Sequence, residues 1–328
     1  MDAGQEVNEF QRIFAQGVEY IHRTIIGQTE AVEHSLLGLI AGGHVLLEGA
    51  PGLGKTRLVK AISRTFDLHF SRVQFTPDLM PADILGTNVI SNNEKGERGF
   101  VFQPGPIFGN IVLADEVNRG TPKTQSALLE AMEEQAITVQ GKRYQLPAPF
   151  FVIATQNPIE MEGVYPLPEA QLDRFMFKIE LVAPHSEDMR AIIDVPLKEV
   201  ETKPILKRED LAALQRTIGR VPVANHIKDY AVRLYRATHP TAAEAPAITK
   251  KYIRYGASPR AVQSLLVAAR GWALLSGRFN VSTADIQRVL VPVFRHRIIR
   301  NFEAEAANVT MADILGEIAK SIPELPAK

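Results

Sequence analysis

The sequence predicts a parallel α/β domain followed by a smaller all-helical domain. Three observations lead there. Apolar runs of strand length at residues 45–47, 111–114 and 150–155 alternate with helical patterns through the first half of the chain. The first of them leads straight into a glycine-rich turn that opens a helix, a strand–loop–helix unit of parallel sheets. From residue 184 onward only helical periodicity remains. The expected division is residues 1–184 for the α/β part and 185–328 for the helical part.

A chain of 328 residues can build two cores, and 45% hydrophobic with 23% charged residues is ordinary globular composition. Lys and Arg number 37, as do Asp and Glu, so no global field draws nucleic acid or anionic lipid to the surface. Only a local basic stripe would serve that end. The absence of cysteine excludes disulfides and thiolate metal sites. The start lacks a basic n-region followed by an apolar core, and no apolar run nears the roughly 20 residues that cross a bilayer. A soluble, cytoplasmic protein without a membrane segment is expected.

Residues 5–22 place Val7, Phe10, Ile13, Phe14, Val18 and Ile21 at helical spacing. Ile25, Ile26, Gly27 and Gln28 interrupt the pattern, and Thr29 can cap a second helix to about Ala41. This turn could lay Ile25 and Ile26 against a nucleotide base, with Ile26 and Gly27 among the nucleotide-binding residues; a plain helix–turn–helix packing element accounts for the residues equally well. Val45, Leu46 and Leu47 then form a strand ahead of Gly49, Ala50, Pro51, Gly52, Leu53, Gly54, Lys55, Thr56 and Arg57. Gly49, Gly54, Lys55 and Thr56 satisfy G-x-x-x-x-G-K-[ST] in the strand–loop–helix context that the motif needs. Glycines let successive N–H groups turn toward phosphate oxygens, and the helix adds the positive end of its dipole. Lys55 can reach the β- and γ-phosphates, and the Thr56 hydroxyl can ligate Mg²⁺. The chain is expected to bind a nucleoside triphosphate.

Residues 68–75 alternate as a second strand, and 81–85 form a short helix. Residues 86–107 read as a hairpin that either carries partner contacts or merely decorates the fold, and 136–146 read as another hairpin. The apolar strand at 111–114 ends in Asp115-Glu116, 60 residues past Lys55. Asp115 can hold Mg²⁺ through its water shell, and Glu116 can orient and polarise an attacking water. A helix spans 121–134 with Leu128, Leu129 and Met132 inward. The strand at 150–155 ends at Gln156-Asn157-Pro158, where Asn157 either holds that water or simply starts a turn. A short helix at 167–175 leads into the last strand, 176–182. Asp173-Arg174 is a surface ion pair, or it presents Arg174 to a neighbouring subunit's γ-phosphate. Helices follow at 186–196, 208–219, 224–238, 258–276, 282–301 and 309–321, with a connecting loop at 240–250. Ser258-Pro259 is an N-cap with proline at the first helical position, so Arg260 falls in the first turn.

The stretches GAPGLGKT (49–56), LADEVNR (113–119), Ala-Thr-Gln-Asn-Pro (154–158), LPEAQLDRF (167–175) and GASPRA (256–261) resemble, in order and spacing, the AAA+ ATPase superfamily and within it the MoxR family. The resemblance covers roughly residues 8–320. It implies ATP hydrolysis, with ATP/ADP and Mg²⁺ as ligands. Lys55 and Thr56 would be Walker A, Asp115 and Glu116 Walker B, and Asn157 sensor 1. Arg174 would be the arginine finger given in trans, and Arg260 sensor 2, reaching from the helical lid to the bound phosphates. The hairpins resemble the helix-2 and pre-sensor-1 insertions of that branch, which face the pore or the partner surface. Arg119 belongs to the family's Asp-Glu-x-Asn-Arg signature, without a chemical role that the sequence reveals.

The resemblance also implies a homo-oligomeric ring, usually a hexamer. Such rings act as chaperones that remodel or mature a separate client protein, often by metal insertion. Clients often carry a von Willebrand A domain; this chain lacks that domain's Asp-x-Ser-x-Ser signature, so the client would be another polypeptide. Two other functions compete. A DNA-directed motor of the same branch finds local support only in Lys142 and Arg143 at a hairpin tip, and the neutral charge balance counts against nucleic acid. A nucleotide-dependent scaffold or switch with little turnover is disfavoured by the intact Glu116.

Overall fold

The computed structural model describes residues 2–92, 98–158, 163–195 and 203–324. Two helices come first. α1 (Ala3–His22) buries the apolar stripe of Val7, Phe10, Ile13, Phe14 and Ile21. In α2 (Thr29–Ile40), Thr29 is the first helical residue rather than the cap. Gln28 takes the capping position without capping, because its amide donates to the Val182 carbonyl at 2.7 Å.

The α/β part continues through β1 (His44–Glu48), α3 (Lys55–Thr65), β2 (Phe70–Gln74), α4 (Pro81–Leu85) and a hairpin of β3 (Gly86–Asn92) and β4 (Arg98–Pro104). Next come β5 (Ile111–Asp115), α5 (Pro122–Glu134), a second hairpin of β6 (Ala136–Val139) and β7 (Lys142–Gln145), β8 (Phe151–Gln156), α6 (Glu169–Leu172) and β9 (Phe175–Glu180). Five of the strands form one parallel sheet in the order β2-β5-β8-β1-β9. Its central strands β5, β8 and β1 are nearly continuous apolar runs, as strands covered on both faces must be. Since all five run one way, whatever follows a strand gathers at the carboxyl edge, and whatever precedes one gathers at the amino edge.

The second hairpin turns at Gln140-Gly141, both at positive φ (49° and 79°), which a two-residue turn requires. Lys142 and Arg143 therefore belong to β7 rather than to the tip. Lys142 lies over the Tyr144 ring and Arg143 pairs with Glu134 at 3.3 Å, both side chains remaining exposed beside the turn. The polar turn of the first hairpin, at 93–97, lies outside the described residues.

The helical part comprises α7 (Ser186–Ile193), α8 (Arg208–Arg220), α9 (Asn225–Ala237), α10 (Ala247–Tyr252), β10 (Ile253–Tyr255), α11 (Pro259–Leu275), α12 (Thr283–Phe294), β11 (Ile299–Arg300), α13 (Phe302–Ala306) and α14 (Met311–Ser321). Two expectations are corrected here. The stretch 240–250 is not all loop: α10 starts within it, anchored by the buried Thr249 hydroxyl donating to Ala237 O at 2.7 Å. The helix expected over 282–301 stops at Phe294. Beyond it the chain turns His296 and Arg297 onto the first residue of β9, where both donate to Phe175 O, at 2.9 and 2.7 Å. One apolar cluster runs from Phe10, Ile13 and Leu37 to Leu265, Ala269 and Val289, so α1 and α2 weld the helical part to the sheet. Among the described residues no helix is long and apolar enough to cross a membrane.

Candidate functional site

β1 delivers Gly49 to the carboxyl edge, where its N–H donates to Gln156 O at 3.3 Å. Gly52 and Gly54 follow in the left-handed region, at φ 84° and 82°, which side chains resist. Such turns let successive N–H groups face inward as an anion-binding concavity, here at the head of α3 with Gly54 as its N-cap. Lys55 Nζ donates to Gly49 O at 2.7 Å, which places the ammonium at the base of the loop. Beside it, Ile25, Ile26, Leu53, Pro184, Met189 and Ile192 line a largely apolar cleft of about 320 Å³ that Arg57 also borders. Gly27 is not in its wall. At φ 72°, with space for a β-carbon only 2.5 Å from an Asp188 carboxylate oxygen, it lets α7 close on the turn.

The acids share this edge. Asp115 is buried, 7% exposed; one oxygen accepts from the Thr155 hydroxyl at 2.6 Å and the other from Arg72 Nη2 at 2.7 Å. The same Thr155 oxygen accepts the Glu116 N–H at 2.8 Å. A hydroxyl both gives and receives, so one side chain on β8 ties down both acids. Glu116 is left-handed (φ 55°), an uncommon state outside glycine that turns its carboxylate off the line of β5. It accepts from Gln74 Nε2 at 2.8 Å and from Arg119 Nη1 at 3.1 Å, which gives Arg119 a chemical partner. Asn157, 4% exposed, leaves β8 between β5 and β1, hence between Glu116 and the phosphate loop.

Mg²⁺ suits the donors present. Thr56 offers a hydroxyl and Asp115 a carboxylate, both hard oxygen ligands. Among the described residues no cluster of three His, Cys, Asp or Glu forms an all-protein cage, as is usual where phosphates complete the shell.

Arg174 and Arg260 lie elsewhere. Arg174 precedes β9 at the amino edge, and the six residues of β9 put it roughly 17 Å from its own chain's phosphate loop. Its Nη1 donates to Leu129 O at 2.7 Å and pairs with Glu133 at 2.5 Å. The structure places Arg260 with Arg174 rather than over that chain's own phosphate loop: its Nη2 donates to the other oxygen of Glu133 at 2.9 Å. Docking of the helical part explains this. Ser258, the N-cap of α11, donates its hydroxyl to Asp173 at 2.8 Å, and the buried Arg297 guanidinium lies 2.8 Å from the same carboxylate. Burial pushes Arg297 down to about 10, still cationic at neutral pH.

A family model described as ATPase family associated with various cellular activities (AAA) matches residues 44–177, and one described as AAA lid domain matches 245–318. Chaperone MoxR1 of Mycobacterium tuberculosis is 42% identical over 303 residues, 92% of this chain and 80% of its own length. The chain belongs to the MoxR family of AAA+ ATPases. This MoxR-family chain is also 42% identical to the uncharacterised protein YeaC of Bacillus subtilis, across 94% of each. Protein MoxR of Methylorubrum extorquens is 30% identical, across 92% of each. A crystal structure from Cytophaga hutchinsonii, assigned as an ATPase, shares 37% identity and superposes with a TM-score of 0.90 over 99% of this chain and 98% of that one.

Sequence reasoning missed several residues of the MoxR-family site. Arg72 and Gln74 lie on β2 and matter only because that strand pairs with β5, with Gln74 opposite Asp115. Thr155 was visible only within a matching stretch. Met189 and Ile192 fall within the helix expected at 186–196 and Glu133 within that at 121–134, and neither pattern singles them out.

Proposed function

We propose that this MoxR-family protein hydrolyses ATP in a homo-oligomeric ring and spends the turnover on remodelling or maturing a separate client protein. The observation that carries the proposal is the division of the site between two edges of the sheet. The phosphate loop, Asp115, Glu116 and Asn157 share the carboxyl edge, whereas Arg174 and Arg260 stand together at the amino edge. Arginines so placed are out of reach of their own pocket and serve that of another copy.

In this scheme the loop N–H groups and Lys55 hold the triphosphate, and Ile26 with its apolar neighbours takes the base. Glu116 and Asn157 orient the attacking water, Glu116 drawing on it as a base. Thr56 and Asp115 would hold Mg²⁺, whose positive charge would offset that of the phosphates. Arg174 and Arg260 of the adjoining copy face the charge that develops on the transferring phosphoryl group. The reading extends to a hexameric ring and to a client of the kind that carries a von Willebrand A domain and receives a metal; what supports it is that one 42% identical relative is named a chaperone.

The test is a pair of variants measured under conditions where the ring forms. Glu116→Gln should retain ATP while turnover falls about 10²-fold or more. Arg174→Ala should bind ATP normally and lose about 10³-fold in turnover. An unchanged kcat in the second variant would rule out the trans role of Arg174. The Glu116→Gln ring, loaded with ATP, is also the bait with which to identify the client.

A further inference from the structure

We propose that Glu133 is a positioning residue for ATP hydrolysis in the neighbouring subunit. It gathers Arg174 and Arg260 into one cationic pair and presents them together. The inference rests on the reading that these arginines act in trans.

Two guanidinium groups repel one another and, left alone, would splay toward solvent. Here each takes a different oxygen of one carboxylate, Arg174 Oε2 at 2.5 Å and Arg260 Oε1 at 2.9 Å. They come from distant parts of the chain: Arg260 is 127 residues from Glu133 and belongs to the helical part. Asp173, through Ser258 and Arg297, docks that part on the sheet, whereas Glu133 pairs with both arginines directly. Glu134, the next residue, pairs with Arg143 instead, so the contact belongs to one position on α5 and not to a general acidic end.

The pose of Arg174 points the same way. Its Nε is buried with no acceptor among the described residues, and Leu129 O takes only one of its protons. Its attachment to Glu133 is thus the charged contact that offsets an otherwise poorly satisfied site. Arg260 is 44% and Arg174 28% exposed, so another copy can reach the pair, chiefly through Arg260. Two cations on one anion leave a net positive charge facing outward, suited to a triphosphate. Preset donors of this kind cost no reorganisation as charge develops, and fixing both arginines with one anion is the economical way to preset them.

The assembled ring carrying Glu133→Gln tests this, since glutamine keeps size and one acceptor but loses the charge. The kcat for ATP should fall about 10- to 100-fold, the range that small misplacement of catalytic groups produces. KM for ATP should stay within about twofold, because the variant's own phosphate loop is untouched. Glu133→Asp should recover part of the loss, and Glu133→Gln should add nothing in an Arg174→Ala background. Mixed rings give a readout that a merely structural role would not move. Lys55→Ala subunits lack a working phosphate loop but bring an intact Glu133, so adding them to Glu133→Gln subunits should raise turnover above the sum of the two alone. If Glu133→Gln fails to assemble, Glu133→Asp and its mixture with Lys55→Ala carry the test. Unchanged or increased kcat in Glu133→Gln, with Arg174→Ala still inactive, overturns the role of Glu133 alone. Full activity of Arg174→Ala overturns the trans reading on which it rests.

Discussion

Glu116 shows how a single residue is set up for its task by neighbours it does not meet in sequence. Its left-handed backbone is secured by the Thr155 hydroxyl, and its carboxylate is gripped from β2 and from Arg119. At the opposite edge, His44 illustrates the same dependence through a titrating group. Its Nδ1 accepts the Val152 N–H at 3.0 Å, so the proton resides on Nε2, which donates to Met132 O at 3.2 Å. Complete burial pushes His44 down to about 4, and burial lowers His34 and His296 as well. The sign follows directly. Above about pH 6.5 the imidazole is neutral in both states; below it the unfolded chain takes up the proton first. Stability should therefore decline by up to about 1.4 kcal/mol per pH unit for His44, from about 6.5 until the folded site protonates near 4. Urea or thermal unfolding followed between pH 7 and 4.5 checks this, and a stability that is flat or rising on acidification contradicts it.

Among the elements, the two hairpins behave as one projection. Asn88 Nδ2 donates to Gln140 Oε1 at 2.5 Å, and the Phe102 and Tyr144 rings stack with centroids 4.1 Å apart. An isolated two-stranded hairpin is marginal in water, so β3 and β4 rely on this support, while Phe100 at their surface is 75% exposed. Tyr144→Ala should remove about 0.5–1.5 kcal/mol of aromatic pairing. Hydrogen exchange at residues 86–92 and 98–104 should quicken several-fold, with basal ATP turnover unchanged. Exchange that stays as slow as in the parent protein would show that β3 and β4 stand on their own. Sequence patterning placed both hairpins well because turn chemistry and strand alternation are local. It could not show that they touch, since Phe102 and Tyr144 are brought together only by the packing of the sheet and α5. The same limit applied to the helix expected over 282–301: periodicity continued past Phe294, but the pull of His296 and Arg297 toward β9 decided its end.

For the whole molecule, the parallel sheet and the docked helical part separate the phosphate loop, Asp115 and Glu116 from Arg174 and Arg260. On the function proposed above, the carboxyl edge would bind and activate while the amino edge would compensate charge in another copy. A single copy would then own both halves without being able to join them. Specific ATP turnover should accordingly depend on protein concentration, falling by about 10³-fold or more on dilution below the assembly point. Sedimentation and turnover measured across the same dilution series would settle the matter; activity independent of assembly would mean that one chain completes its own site.

By itself the sequence determined the fold class, the phosphate loop, the acids at the end of β5 and the polar residue at the end of β8. Each of these is written in a short contiguous stretch whose glycines, apolar run or capping residues dictate local geometry. Only the tertiary structure decided that Gln74 and Thr155 would govern the acids, that α7 would close the cleft at Ile26, and that Arg260 would join Arg174 on Glu133. Those contacts span 42 residues for Gln74 with Glu116 and 127 for Arg260 with Glu133. They depend on which strands lie side by side and on where the helical part docks. Burial of apolar faces and pairing of charges across the fold choose that arrangement, and no local pattern encodes it.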